Sequence, residues 1–265
     1  MILKQTFLQP QTVRNGRILT LIQCLLILGI VLGWNSMTQA TTPWPKSSIL
    51  DVGPGKVGTF TSHFVVNGHP AISYYDIDNG DLKYVRASDP AGTAWGPALS
   101  LDSAGNVGIF TSLSVVNGHP AISYYDVDNG DLKYIRANDQ IGAVWGTPVA
   151  VDQQDDVGQY NSLAVIQGRP AITYFDNTQQ DLKYVWADNK TGSTWGTPQI
   201  VQSNGDVGMF TSLIAINDLP AITYFDKTDR NLKYIRGNTP SGTSWESPVP
   251  PDRSSNYHSW YNSLA

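Results

Sequence analysis

The groups able to do chemistry in this chain recur at fixed intervals. Asp76 and Lys83 return as Asp126 and Lys133, as Asp176 and Lys183, and as Asp226 and Lys233. If Asn79-Gly80 is a two-residue turn, carboxylate and ammonium face each other across a hairpin. Opposite charges so placed contribute a few tenths to about 1 kcal/mol. That role is structural, and a repeated polar contact to a ligand is the alternative. The run Asp76-Ile77-Asp78-Asn79-Gly80-Asp81 also spaces carboxylates as a hard cation would want them. Its third version is Asp176-Asn177-Thr178-Gln179-Gln180-Asp181, and its fourth is Asp226-Lys227-Thr228-Asp229-Arg230-Asn231. Only the first carboxylate persists. A tight turn explains the run better than calcium does, and no metal or other cofactor is expected.

The remaining reactive side chains are also carried by the repetition. Arg86, Arg136 and Arg236 share one position, and Trp186 breaks the series. The histidines are His63, His69, His119 and His258, and no unique grouping of His, Asp and Ser stands out. A retaining glycosidase needs two unlike carboxylates about 5 Å apart. Near-identical copies offer no such asymmetry, so the expectation is a chain with no catalytic residues.

The elements that must position these groups repeat with a period of 50 residues. Val57-Gly58, Pro70-Ala71-Ile72, Leu82-Lys83-Tyr84 and Trp95 each recur in four copies without insertion, over 57–106, 107–156, 157–206 and 207–256. Such self-similarity marks a repeat architecture. Each copy reads as four short strands. The first, Phe60 to Val66, ends at Asn67-Gly68, a strong two-residue hairpin signal because both turn residues need positive φ. The others are Ala71 to Asp76, Leu82 to Ala87 and Trp95 to Leu101. No stretch has an adequate helical period. Four strands in about 45–50 residues match one blade of a β-propeller. Apolar residues on both faces, Ile72 and Tyr74 on one and Ala71 and Tyr75 on the other, suit a blade covered on both sides. The fold class expected is all-β: a β-propeller of four 50-residue antiparallel blades plus a partial fifth at 257–265, truncated or open. A four-bladed ring with spare ends is the alternative. Trp44 to Asp51 resembles the fourth strand Trp95 to Asp102, which makes 41–56 an N-terminal closing strand and linker.

The first forty residues differ from the rest. Lys4, Arg14 and Arg17 precede an apolar run from Ile18 to Trp34, and small residues follow up to Ala40. Basic, apolar and small in that order reads as a secretory signal peptide over 1–40. An uncleaved anchor helix competes with it. The single Cys, Cys24, lies inside this run, so neither a disulfide framework nor a Cys-based zinc site is available. Net charge is −5, which argues against a nucleic-acid surface. The expected location is secreted or cell-surface, with the periplasm as an alternative. After signal cleavage no membrane contact is expected.

Before each recurring Trp lies a loop, Asp89-Pro90-Ala91-Gly92-Thr93-Ala94-Trp95 in the first copy. It resembles the Asp-box of sialidase-like propellers, with one extra residue between Asp and Gly. Copies three and four have Asn189 and Thr239 in place of the Asp. The resemblance implies fold, since in that family the Asp-box is a folding element remote from catalysis. The overall pattern also resembles lectin propellers of five to seven blades, which place aromatic and polar groups between neighbouring blades. That resemblance implies non-catalytic recognition, as a multivalent carbohydrate binder whose partner is an extracellular glycan. A surface protein is the alternative partner, and open blade edges would permit self-association. A glycosidase is the third reading. The ligand-binding residues expected are Tyr75, Asp78 and Asn79, their counterparts Tyr125, Asp128 and Asn129, and Phe175 and Phe225.

Overall fold

The computed structural model describes residues 50–51, 56–251 and 263. The signal peptide 1–40, most of the closing segment 41–56 and nearly all of the partial copy 257–265 lie outside the described residues. The first copy forms β1 (Val57–Val66), β2 (His69–Asp76), β3 (Asp81–Arg86) and β4 (Leu99–Asp102). The second forms β5 (Val107–Val116), β6 (His119–Asp126), β7 (Asp131–Arg136) and β8 (Val149–Asp152). The third forms β9 (Val157–Ile166), β10 (Arg169–Asp176), β11 (Asp181–Trp186) and β12 (Gln199–Gln202). The fourth forms β13 (Val207–Ile216), β14 (Leu219–Asp226) and β15 (Asn231–Arg236). Each copy is one antiparallel meander.

Local chemistry explains the turns. Asn67 and Gly68 have φ of 46° and 76°, so the first hairpin has the two positive-φ residues that its sequence demands. The second hairpin differs from expectation. Asp76 pairs with Asp81 and Lys83 pairs with Tyr74, so residues 77–80 form a four-residue loop. Its closure comes from the Gly80 N–H, which donates to the Asp76 carbonyl at 2.8 Å. Lys83 therefore meets Asp76 diagonally, with Nζ 3.7 Å from Oδ2.

The outer strand is shorter than its pattern. Trp95 makes only an isolated bridge to Ala87, and regular pairing resumes at Leu99. Pro97 lies between them and has no N–H to give the ladder. In the fourth copy Pro248 and Pro250 flank Val249. Pairing there shrinks to one bridge, with Tyr234, and leaves a three-stranded sheet.

The core lies between blades. Ala71, Leu82 and Tyr84 of the first blade pack against Leu113, Ile122, Tyr124 and Ile135 of the second. The same constellation recurs at the next two interfaces. Trp145 meets Tyr84 edge-on at 5.0 Å, and Trp195 meets Tyr134 likewise at 5.2 Å. Burial on both faces, with inner strands β1, β5, β9 and β13 stacked in succession, makes this an all-β propeller of 50-residue blades.

A polar lock crosses the first two interfaces between blades. Asp102 Oδ2 accepts from the Tyr124 hydroxyl at 2.6 Å and pairs with Lys133 at 2.6 Å. Asp152 does the same for Tyr174 and Lys183. Asp51 takes this place for the first blade, at 2.8 Å from the Tyr74 hydroxyl and 2.5 Å from Lys83. Gln202 stands at the fourth equivalent position. There Lys233 turns to Asp229 at 2.6 Å.

Candidate functional site

Phe60, Phe110, Tyr160 and Phe210 lie on successive inner strands with φ of 51°, 57°, 52° and 52°. Positive φ in a bulky residue costs on the order of 1–2 kcal/mol. The strain comes with a bulge, because pairing shifts register between Thr59↔Tyr75 and Ser62↔Ser73 and again in each copy. The preceding glycine allows it. A Cβ on Gly108, at φ 107°, would lie 2.8 Å from Leu82 Cα. The bulge aims the aromatics at one another. Ring centroids are 4.9 Å apart for Phe60 and Phe110, and 4.5 Å apart both for Phe110 and Tyr160 and for Tyr160 and Phe210. With Thr61, Thr111, Asn161 and Thr211 they line a depression of about 220 Å³.

A second shell of rings supports the first. Tyr75 lies 6.4 Å from Phe60, Tyr125 lies 6.3 Å from Phe110, and Phe175 lies 6.2 Å from Tyr160. Their outer ends meet the loops that lead into the inner strands. The Tyr75 hydroxyl donates to Asn106 Oδ1 at 2.5 Å, and the Tyr125 hydroxyl donates to Asp156 Oδ1 at 2.5 Å. Asp156 Oδ2 also accepts from Asn177 at 2.8 Å and from Gln159 at 3.4 Å. In the next copy Phe175 has no hydroxyl to give. Asp206 Oδ1 is buried without a hydrogen-bond partner, while its Oδ2 pairs with Lys227 at 2.6 Å. Burial, and then the bond to Asp156, push the Tyr125 phenol up to about 12.

The residues singled out from sequence separate into two groups. Tyr75, Tyr125, Phe175 and Phe225 are buried. Tyr75, Tyr125 and Phe175 buttress the axial rings. Asp78, Asn79, Asp128 and Asn129 are exposed on the turns and are engaged in holding them. Asp78 accepts from the Lys56 N–H and Asp128 from the Asn106 N–H, both at 2.9 Å. Asn79 and Asn129 donate to Asp76 and Asp126, also at 2.9 Å. Sequence reasoning missed the four axial aromatics. Their signal was an aromatic two residues after the glycine of each Val-Gly, hidden because alternation along a strand does not disclose a bulge.

At the other end of the strands the loops before each Trp fold around one side chain. Asp89 accepts from the N–H groups of Ala91, Thr93 and Ala94, and Trp95 donates to the Gly92 carbonyl. The N–H of Thr93, then those of Ala94 and Ala91, hold the Asp89 carboxyl below its usual range. This arrangement closes a loop.

No protein-family model and no curated protein sequence matches the chain. Solved structures do. One is an exo-β-1,3-galactanase from Phanerochaete chrysosporium in complex with β-1,3-galactotriose. It is 9 % identical at a TM-score of 0.51, over 72 % of this chain and 49 % of that one. A thermostable family-43 glycoside hydrolase is 13 % identical at a TM-score of 0.51, over 74 % of this chain and 72 % of that one. A family 117 glycoside hydrolase from Zobellia galactanivorans is 14 % identical at a TM-score of 0.49, over 79 % and 75 %. The chain spans about half the length of the galactanase. These likenesses are of fold, and the proteins are hydrolases, not lectins. The galactanase and the family-43 hydrolase, both enzymes on this fold, overturn the expectation of a non-catalytic, lectin-like recognition protein and the expectation that the chain is no enzyme. The premise behind both was that all copies are equivalent. It fails at Asp156 and Asp206, whose surroundings differ.

Proposed function

We propose that this chain is a glycoside hydrolase of an extracytoplasmic polysaccharide, with its site at the aromatic end of the blade axis. The observation that carries the reading is the inequality of two carboxylates in one structural position. Asp156 is met by three donors, from Tyr125, Asn177 and Gln159. Asp206 has one oxygen on Lys227 and one with no partner. Glycoside hydrolysis divides its work between two carboxyl groups in unlike environments. One gives a proton to the leaving oxygen, and the other attacks the sugar or activates water. A buried polar atom kept without a partner costs stability, and such atoms concentrate where function requires them.

The axial rings supply the other requirement. Sugar rings lie with their C–H faces on aromatic faces, and Phe60, Phe110, Tyr160 and Phe210 bring four such rings together in the axial depression. The hydrolases similar in fold support a glycan as substrate, and the basic, apolar and small-residue start of the chain supports export to where such glycans are.

The test is release of reducing ends from a panel of galactan, xylan and aryl glycosides by the full chain. Turnover is expected for at least one substrate, with a loss of about 10³-fold or more in both Asp156→Asn and Asp206→Asn. Near-UV circular dichroism would show that the variants are folded. Turnover unchanged in both folded variants would remove the pair from the mechanism, and none from folded wild-type protein on any substrate would end the reading.

A further inference from the structure

At the end of the strands that carries the Trp loops, a cavity opens between blades at each of the first two interfaces. The first holds about 320 Å³ and is walled by Arg86 with Pro97, Leu99, Ile141 and Ala143. The second holds about 290 Å³, and its equivalent wall is Arg136 with Thr147, Val149, Thr191 and Ser193. Asn138 joins the second wall where Ser88 joins the first. The two cavities share a frame and differ in chemistry. Arg136 donates to the carbonyls of Val116 at 3.0 Å, Asn117 at 3.2 Å and Ala137 at 3.5 Å. A guanidinium carries more N–H groups than three carbonyls take up, and carbonyls leave its charge unneutralised.

The balance of charge singles out the second cavity. At the first, burial raises the Tyr84 phenol, Arg86 lowers it and Asp139 raises it, so arginine and carboxylate act at one point. At the second, burial raises the Tyr134 phenol and Arg136 lowers it, with no carboxylate acting among the described residues. Asn189 stands there in place of Asp139. At the third interface Trp186 replaces the arginine, and Asp188 replaces Asn138. Asp188 lies toward that interface, since a Cβ on Gly196 would sit 3.4 Å from its Oδ1. Lys190 is exposed in the loop that brings Thr191 to the second cavity. That loop also differs in its closure. Trp95, Trp145 and Trp245 each donate Nε1 to a glycine carbonyl of their own loop, whereas Trp195 Nε1 is buried without a partner. The loop forgoes a bond that its counterparts make, which is the pattern of a wall set by what it binds.

A guanidinium fork matches a planar carboxylate, and neutral hydroxyls and a carboxamide beside it suit a hydroxylated ring. Ligand cavities start at about 300 Å³, which here admits one sugar residue. We propose that the second inter-blade cavity binds a uronic-acid sugar, with its carboxylate on Arg136 and its hydroxyls toward Asn138, Thr147, Thr191 and Ser193. This site is separate from the axial rings and stands whether or not the chain hydrolyses glycans.

The test is calorimetric titration of the full chain with methyl β-D-glucuronide, against methyl β-D-glucoside and acetate. The glucuronide should bind about tenfold tighter than either, and high salt should narrow its lead over the glucoside. Arg136→Gln should bring the glucuronide within about twofold of the glucoside. Arg86→Gln gives up the same three kinds of carbonyl bond at the first interface and should keep the preference within about twofold, which separates charge from folding. Ser193→Asp places a carboxylate in the exposed wall and should abolish the preference with Arg136 untouched, and it decides the matter where Arg136→Gln does not fold. Equal affinity for the glucuronide and either control compound overturns the proposal. So does a preference that survives Arg136→Gln or Ser193→Asp in folded protein, or one that Arg86→Gln removes. Glucuronide binding without turnover of any glycoside would overturn the glycosidase reading and leave this one standing. Turnover with no glucuronide preference would do the reverse.

Discussion

The Tyr125 hydroxyl sits 2.5 Å from Asp156 Oδ1 and ties the second blade to the loop that opens the third. One copy later the tie is missing, because Phe175 replaces the tyrosine and Asp206 Oδ1 is left buried and unpartnered. A repeat that conserves a ring and drops one oxygen has removed a single hydrogen bond while keeping the packing.

Restoring that oxygen should stabilise the fold. Phe175→Tyr places a hydroxyl where Tyr125 already has one and satisfies Asp206, worth about 1–3 kcal/mol. The urea midpoint should rise with no change in slope. The mirror variant Tyr125→Phe should lower it by a similar amount. A Phe175→Tyr protein no more stable than wild type would show that Asp206 Oδ1 is satisfied in solution by water.

The interface lock predicts an acid limb. Burial pushes the Asp102 carboxyl up, but Lys133, Tyr124 and the Ala104 N–H together hold it below its usual value. A carboxyl depressed in the folded state gives stability that is present above its unfolded pKa of about 3.9 and lost as pH falls through the folded value. Unfolding free energy should therefore fall below about pH 4, and Asp102→Asn should flatten that fall while costing about 3 kcal/mol at neutral pH. Asp226 runs the other way. Burial and then the charge of Asp229 raise it, against the N–H of Asp229 and Lys233, so its term weakens the fold as pH rises just above the usual carboxylate range.

At high pH the tyrosines decide. Burial, then the charges of Asp102 and Asp126, raise Tyr124 well above 10, and Tyr174 is raised the same way by Asp152 and Asp176. Their stability is complete below the unfolded pKa of about 10 and is lost as pH rises beyond it. Phenolate absorbance from these buried rings should appear only together with loss of the β-sheet signal. Smooth titration of every tyrosine in a folded chain would contradict the packing.

Two glycine variants separate strain from collision. Gly58→Ala meets nothing within 4 Å and bears only the cost of φ 93°, about 1 kcal/mol. Gly108→Ala adds a Cβ 2.8 Å from Leu82 Cα at φ 107° and should cost at least about 2 kcal/mol more. Thermal melts of the two side by side would decide it, and equal midpoints would mean that the second blade moves to admit the methyl.

The amino-acid sequence by itself determined the repeat, the meander and the propeller. These depend on local signals: Asn67-Gly68 needs positive φ at two adjacent residues, and apolar residues on both sides of β2 need two covers. Even exceptions can be read from it once the position is known. Trp186 takes the place of an arginine, and its Nε1 donates to the Ile166 carbonyl as Arg86 Nε donates to that of Val66. Arg169 then stacks on the new ring at 4.5 Å. Only the tertiary structure decided how Asp76 and Lys83 meet, because the length of their loop depends on a backbone bond from Gly80 to the Asp76 carbonyl. It also decided the site. A bulge turns Phe60 and its counterparts toward the axis, and neighbouring blades bring Tyr125 against Asp156. Both relationships join residues from different copies, and a pattern that repeats every 50 residues reads each copy as though it stood alone.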